Sequence, residues 1–432
     1  MNKIILLHFF FLSLFQANAQ FKNILLDPGS TAYQACEPSI AISLKDPNMI
    51  VAASSLNNVY YTSNGGFSWQ KSKLTSSLGV WGNPVVIADF KGNFFYFHLS
   101  DPTGKNWASE EVLDRIVVQE SNDYGITWSE GVSIGLNHPK DQDKEWAIAD
   151  RKGNIYVAWT QFDKYGSDDG TCQSNILLSS SPNGKKWSRP IQISKVSGDC
   201  RDDDNTAEGV VPAVSADGIQ VYVAWANQGK IFLDRSFDGG KTWLNNDIEI
   251  AEQSGGWSMK IPGLDRCNGR PVLVCDNTKK GGLSGALYMV WADQLNGEND
   301  TDIWFTRSMN FGDNWSQPIR INNDGLGKQQ FLPWMTVDPA TGHIYIVYYD
   351  RRSYDDLQTD VYLGYSTDGG LNFKNVRISE KPFVPSEEVF FGDYINISAS
   401  QGVIAPIWTR MDNKQTSVWT TIIKQEELDK IK

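Results

Sequence analysis

FKNILLD (residues 21–27) and FKNVRIS (residues 373–379) are near copies, set at opposite ends of a chain of 432 residues. The second copy ends a recognisable unit: PWMTVDPATGHIYIVYYD from Pro333, TDVYLGYSTDGGLNF from Thr359, then KNVRIS. Apolar residues alternate through a first stretch, a glycine turn follows, and three more alternating stretches come after it. That pattern is a four-stranded antiparallel blade, and a run of such blades is a β-propeller. First strands open at Glu37 (EPSIAI), Asn83 (NPVVIAD), Glu145 (EWAIAD) and Val211 (VPAVSAD). Three more open at Arg270 (RPVLVCD), Leu332 (LPWMTVD) and Asp393 (DYINISA), which makes seven. The seventh unit continues as GVIAPIWTR and SVWTTII and then has no fourth strand. FKNILLD supplies it, so the amino-terminal strand is expected to complete the last blade and close the ring, leaving no open sheet edge. The fold expected is all-β, one seven-bladed β-propeller over residues 21–424, with residues 425–432 as a frayed charged tail.

Between third and fourth strands a box recurs six times, at intervals of about 58 residues apart from a longer fifth unit. It reads TSNGGFSW from Thr62, SNDYGITW from Ser121, SSPNGKKW from Ser180, SFDGGKTW from Ser236, SMNFGDNW from Ser308 and STDGGLNF from Ser366. The Asp or Asn side chain accepts backbone N–H groups, the hydroxyl caps the same turn, and glycine supplies a positive φ. In the third copy Pro182 stands at the acid's place, so that turn must be held differently. These boxes resemble the Asp-box, or BNR, repeats of the sialidase superfamily over nearly all of the mature chain. The resemblance implies that the boxes are structural hairpins remote from any active centre.

Residues 1–20 read as a secretory signal: one lysine, a short apolar run, then Ala17-Asn18-Ala19. The protein is therefore expected to be secreted or periplasmic, with no membrane span and as a monomer. The sixteen Trp and 37 Gly suit an exported β-rich chain. A net charge of −12 argues against nucleic acid as a partner. Five cysteines leave at least one unpaired.

Strand order puts the glycine turns and the boxes on one face. The opposite, open face collects the links between second and third strands and the crossings between blades, where sites on rigid scaffolds concentrate. Glu37, Asn83, Glu145, Arg270, Asp393 and Tyr394 are expected around its central mouth. Arg270, Arg351 and Arg410, from consecutive blades, either converge on a carboxylate or sulfate or pair with Asp265, Asp350 and Asp412 as glue between blades. The resemblance implies an arginine cluster for a sugar acid, a tyrosine nucleophile, a glutamate partner and an acidic proton donor. Tyr394, Glu37 and Asp393 are the catalytic candidates in those roles, with Arg270, Arg351, Arg410 and Glu145 binding substrate. The Phe/Tyr-Arg-Ile-Pro motif that opens sialidase catalytic domains has no counterpart here, and sialidase domains have six blades. The partner expected is a glycan, acidic in character. Three readings stay open: a glycosidase, a seven-bladed polysaccharide lyase, or a propeller that binds glycan or protein without turnover. Trp159, Trp225, Trp291, Tyr349 and Trp408, ending the second strands, suit either sugar stacking or packing between blades.

GSDDGTC (166–172) and SGDCRDDDN (197–205) leave the third blade on the same face, so Cys172 and Cys200 are the expected disulfide. Asp168, Asp169, Asp202, Asp203 and Asp204 form either a solvated acidic rim or a Ca²⁺ site, without a known calcium-loop spacing. No other cofactor is expected.

Overall fold

In a computed structural model, which describes residues 21–30, 34–279 and 283–431, the strand Ile24–Asp27 pairs antiparallel with Gln415–Thr420, Ile24 opposite Thr420 and Leu25 opposite Trp419. The seventh blade is thus Asn396–Ser400, Val403–Asp412, Gln415–Thr420 and the amino-terminal strand, in that order. Six four-stranded antiparallel sheets make the other blades, each in simple chain order. Their inner strands are Ser39–Ile42, Val85–Ala88, Asp141–Ala149, Glu208–Val214, Val272–Cys275 and Gln330–Val337. Side chains tie neighbouring inner strands: Ser39 Oγ accepts from Val86 N at 2.9 Å between blades one and two, and Asn396 Oδ1 accepts from Ile40 N at 3.0 Å across the ring's closure.

The closing strand does more than fill an edge. Asn23 exchanges hydrogen bonds with Glu380 in both directions, 2.8 Å each, in the segment leaving the sixth blade. Asp27, fully buried, accepts from Tyr60 Oη at 2.6 Å and faces Lys71 Nζ at 2.5 Å in the first blade. Seven residues therefore tie three blades together.

Second strands such as Val221–Asn227 and Ile344–Asp350 are buried along their whole length, because each blade is covered on both faces by its neighbours. Their Val, Ile, Tyr and Trp content fits that double burial. Burying one such side chain is worth about 1.5–3 kcal/mol. Trp159, Trp225, Trp291, Tyr349 and Trp408 are at most 2 % exposed. Of the two roles open to them in the sequence, packing between blades is the one they fill.

Box turns are held as their residue types require. In SFDGGKTW, Ser236 Oγ donates to Asp238 Oδ1 at 2.7 Å and accepts from Gly240 N at 2.9 Å. Asp238 also accepts from Thr242 N and Thr242 Oγ1. The third box begins its turn one residue later than its alignment suggests. Ser181 sits opposite Ile155, as Ser236 sits opposite Val221, and Asn183, not position 182, accepts from Lys185 N and Lys186 N.

Residues 425–431, expected to fray, are docked instead. Ile423–Lys424 pairs with Val403 and Ile404, a short helix spans Gln425–Leu428, and Leu428 is fully buried with its carbonyl accepting from Tyr365 Oη. Leu428, with the partly buried Ile431 three places on, carries that docking despite the segment's charge. Among the described residues no helix is long and apolar enough to cross a membrane. The expected signal segment, residues 1–20, lies outside the described residues.

Candidate functional site

On the open face a cavity of ≈ 620 Å³ lies over blades one to three. Its walls come from crossings and from second-to-third links, the segments expected to carry a site. Trp81 precedes the second blade's inner strand, Trp107 and Tyr165 lie in the links of blades two and three, and Phe390 precedes the seventh. Trp107 stacks on Tyr165 at 5.9 Å between centroids and meets Trp81 edge-on at 6.0 Å. More than half of Trp107 stays exposed, at 55 %.

The floor is charged: Glu37, Asp143, Lys144, Arg266 and Asp393. Three lining residues at or just ahead of inner strands have left-handed backbone: Glu37 (φ 51°), Asn83 (φ 48°) and Lys144 (φ 55°). A non-glycine residue rarely adopts this conformation, and such outliers gather at functional sites. Lys144 Nζ contacts Asp393 Oδ2 at 2.5 Å and lies 3.8 Å from Asp143. Arg266 donates to Asp393 Oδ1 at 2.8 Å and grips Asp202 with both terminal nitrogens, at 2.7 and 3.1 Å. Asp143 accepts from Asn83 Nδ2 at 2.5 Å. Glu37 has no cation in contact among the described residues; its Oε1 accepts only a long bond from Asp393 N, at 3.4 Å. Gly392 makes that approach possible, since a Cβ there would lie 3.0 Å from both Cγ and N of Glu37.

These contacts divide the carboxyls. Burial pushes Glu37 up to about 7, and the neighbouring Asp393 charge adds to it. Asp393 is buried as deeply, but Arg266 and Lys144 outweigh the desolvation and hold it below the usual carboxylate range. Asp202 behaves likewise, with Lys144 and Arg266 overcoming burial. Burial raises Asp143.

Of the expected site residues, Glu37 and Asp393 meet at this cavity. Tyr394 does not line it. Its ring is buried against Trp146 and Trp334, and its Oη donates to Pro84 O at 3.1 Å. Arg270 joins that group beneath the floor, its guanidinium 5.5 Å from the Tyr394 ring centre and about equally near the two tryptophans. Glu145 is fully buried too, and burial drives its carboxyl far up. Arg351 donates to Thr359 Oγ1 and Pro262 O, while Arg410 pairs with Asp412 and the carbonyls of Lys381 and Pro382. No two of the three arginines share a partner, and none lines the mouth. Of the pairings expected as glue, Arg410 with Asp412 forms, whereas Asp350 is taken by Arg352 and Arg351 ties segments through Thr359 and Pro262 instead.

The reading by spacing missed Lys144, Asp143 and Arg266. A register shift between Asp143 and Trp146 moves the third blade's inner strand by one place, so Lys144 takes the position assigned to Glu145 and Glu145 turns inward. The charged run DQDKE ahead of that strand was the available signal. Arg266 stands four places before Arg270 and gives no pattern of its own.

Cys172 and Cys200 form the expected disulfide. Around it Asp168 pairs with Arg201, Asp169 accepts from Thr171, Asp204 accepts from Ser258 N, and Asp202 turns to Arg266. Among the described residues no group of three or more His, Cys, Asp or Glu is arranged to hold a metal.

No family model and no curated protein matches the sequence. Solved structures do match the fold. The GH93 α-L-arabinofuranosidase of Fusarium graminearum, in complex with arabinobiose, is 13% identical, covering 94% of this chain and 98% of that one, with a TM-score of 0.51. A PL25 ulvan lyase is 11% identical over 94% of this chain and 96% of that one, with a TM-score of 0.54. The NanB sialidase of Streptococcus pneumoniae is 10% identical over 88% and 83%, with a TM-score of 0.51. At these identities the likeness is one of fold, and the architecture is that of sialidase-like and related propellers.

Proposed function

We propose that the protein is an exported glycoside hydrolase whose substrate sits in the aromatic-walled mouth, with Glu37 as proton donor. The observation that carries this reading is the split between Glu37, protonated up to about 7, and Asp393, held ionised beside it. Two carboxyls driven apart in one cavity are how a site keeps an acid and a carboxylate together at neutral pH. Glu37 gives its proton to the glycosidic oxygen as the bond to the anomeric carbon breaks. The ionised floor stabilises the positive charge that develops on the sugar, and Asp143 accepts the proton of the attacking water. Tyr394, expected as nucleophile, supports the floor in this reading. Three proteins of similar fold are an arabinofuranosidase, a sialidase and an ulvan lyase, which agrees with a glycan as partner.

An acidic substrate is not part of the proposal. Lys144 and Arg266 face the carboxylates of Asp143, Asp202 and Asp393, so no positive charge is left over for a sugar acid. One observation favours a second reading, binding without turnover: both oxygens of Asp393 are already held by cations. Incubation of the purified protein with arabinan, galactan, sialosides and ulvan decides between them. Reducing ends released by the wild type and lost in Glu37→Gln, with binding kept, support hydrolysis. Binding without product supports the second reading, and ultraviolet absorbance from an unsaturated sugar end marks a lyase. Full turnover by Glu37→Gln overturns the assignment.

A further inference from the structure

Trp107 borders two depressions. Besides the mouth, it lines a separate hollow of ≈ 290 Å³ with Ser109, Glu110, Val112, Pro139 and Lys164. Ligand pockets generally occupy about 300–1,000 Å³. The mouth falls inside that range, and the hollow is at its lower edge, the size of an annex to a site. We propose that the two are consecutive subsites, so that the ligand is an oligosaccharide of at least two residues laid across Trp107. This rests on the glycan reading of the mouth and adds a chain-length requirement to it.

Three features support the assignment. Trp107 is fixed without being covered: its ring stacks on Tyr165, its backbone N–H donates to Asn106 Oδ1 at 2.6 Å, and 55 % of its surface faces solvent. None of the residues in its short helical turn, Asn106–Ala108, is buried, so the ring contributes nothing to a core. An aromatic ring held rigid in the open provides contact area at low entropic cost. The hollow's rim is polar on both sides. The Lys164 ammonium, 54 % exposed, and the Glu110 carboxylate, 84 % exposed, offer a donor and an acceptor to sugar hydroxyls.

The test is calorimetric titration with arabinose, arabinobiose and arabinotriose and the matching galactose series, against wild type, Trp107→Ala, Trp107→Phe and Phe67→Ala. Phe67 is exposed at a box turn on the other face and serves as the control. In the wild type the disaccharide should bind about tenfold or more tighter than the monosaccharide, as for an aromatic contact that matters. Because Trp107 also walls the mouth, Trp107→Ala should weaken both ligands but cost the disaccharide about tenfold more than the monosaccharide, Trp107→Phe should restore most of that difference, and Phe67→Ala should change nothing. Equal affinity for every chain length, or equal loss for mono- and disaccharide in Trp107→Ala, overturns the subsite while the glycan reading stands. No binding by any sugar of either series, nor by sialoside or ulvan, removes the glycan reading and the subsite together.

Discussion

Glu37 is held in a costly state twice over, in a left-handed backbone and in a buried site beside Asp393. Both costs bear on pH. A buried carboxyl raised from 4.5 to about 7 stays neutral in the fold where the unfolded chain would ionise it. Folding is therefore unpenalised below about 4.5 and increasingly penalised between there and about 7, by on the order of 3 kcal/mol once the shift is complete. Glu37→Gln removes the titration. Its melting temperature relative to wild type should rise steadily from pH 4.5 to pH 7.5, and a difference that stays flat across that window contradicts the burial argument. If Glu37 is the proton donor, the same titration sets the basic limb of activity, and kcat/KM should fall as pH passes through about 7. At this scale the sequence was half legible. Glu37 and Asp393 could be placed at the mouth because they open inner strands. Lys144 could not, since a one-residue bulge has no signature in apolar periodicity. Arg266 lies in a crossing segment whose path no local pattern specifies.

At the scale of elements, the box turns and the disulfide loop can be separated by experiment. Asp238 gains its low proton affinity from Thr242, first its hydroxyl and then its N–H, with Ser236 and Lys241 adding further bonds. A carboxyl depressed in the fold contributes stability that is complete above its unfolded range and is lost only as pH falls on towards its lower folded value. Asp238→Ala should lower the melting temperature at pH 7 and still lower it at pH 3, where the depressed carboxyl stays ionised in the fold, while glycan binding at the opposite face stays unchanged. Loss of binding with an intact melt would place the box in the site and contradict its structural role. The Cys172–Cys200 bridge closes a loop of 28 residues, for which chain entropy gives roughly 3–4 kcal/mol. Two residues beyond Cys200 stands Asp202, which Arg266 bridges to Asp393. Replacing both cysteines with serine should lower the melting temperature and also weaken ligand binding, more than an equally destabilising box variant does. Boxes and bridge were both readable from sequence, the boxes because residue types recur at fixed spacing, the bridge because both cysteines lie in segments leaving the third blade on one face. The one box misaligned by a residue, at Asn183, shows the limit, since Pro182 hides where the turn begins.

The architecture of the whole molecule was legible almost completely, for a reason that also makes it vulnerable. Seven inner strands and one displaced outer strand can be counted from alternation alone, and a ring leaves a single place for the displaced strand to go. What alternation could not give was the docking of residues 425–431, which is settled by tertiary burial of Leu428 and not by any period. Closure concentrates stability at the joint: Ile24–Asp27 completes the seventh blade, Asn23 grips Glu380 after the sixth, and Asp27 reaches Tyr60 and Lys71 in the first. Removing residues 21–27 therefore exposes the edge of Gln415–Thr420 and breaks three blade contacts at once. The truncated chain should unfold at markedly lower temperature and elute partly as oligomers in size-exclusion chromatography, as an unpaired strand edge favours. Asp27→Asn keeps the strand and removes only its charge, so it should cost less, about 1–3 kcal/mol, and remain monomeric. A synthetic FKNILLD peptide added to the truncated chain should recover part of the melting temperature, whereas a peptide with Asn at position 23 and Asp at position 27 both changed to Ala should recover less. A truncated chain that melts like the wild type and stays monomeric would show that the ring does not depend on this strand, and the seven-bladed mouth would lose the joint that holds its first and last blades in register.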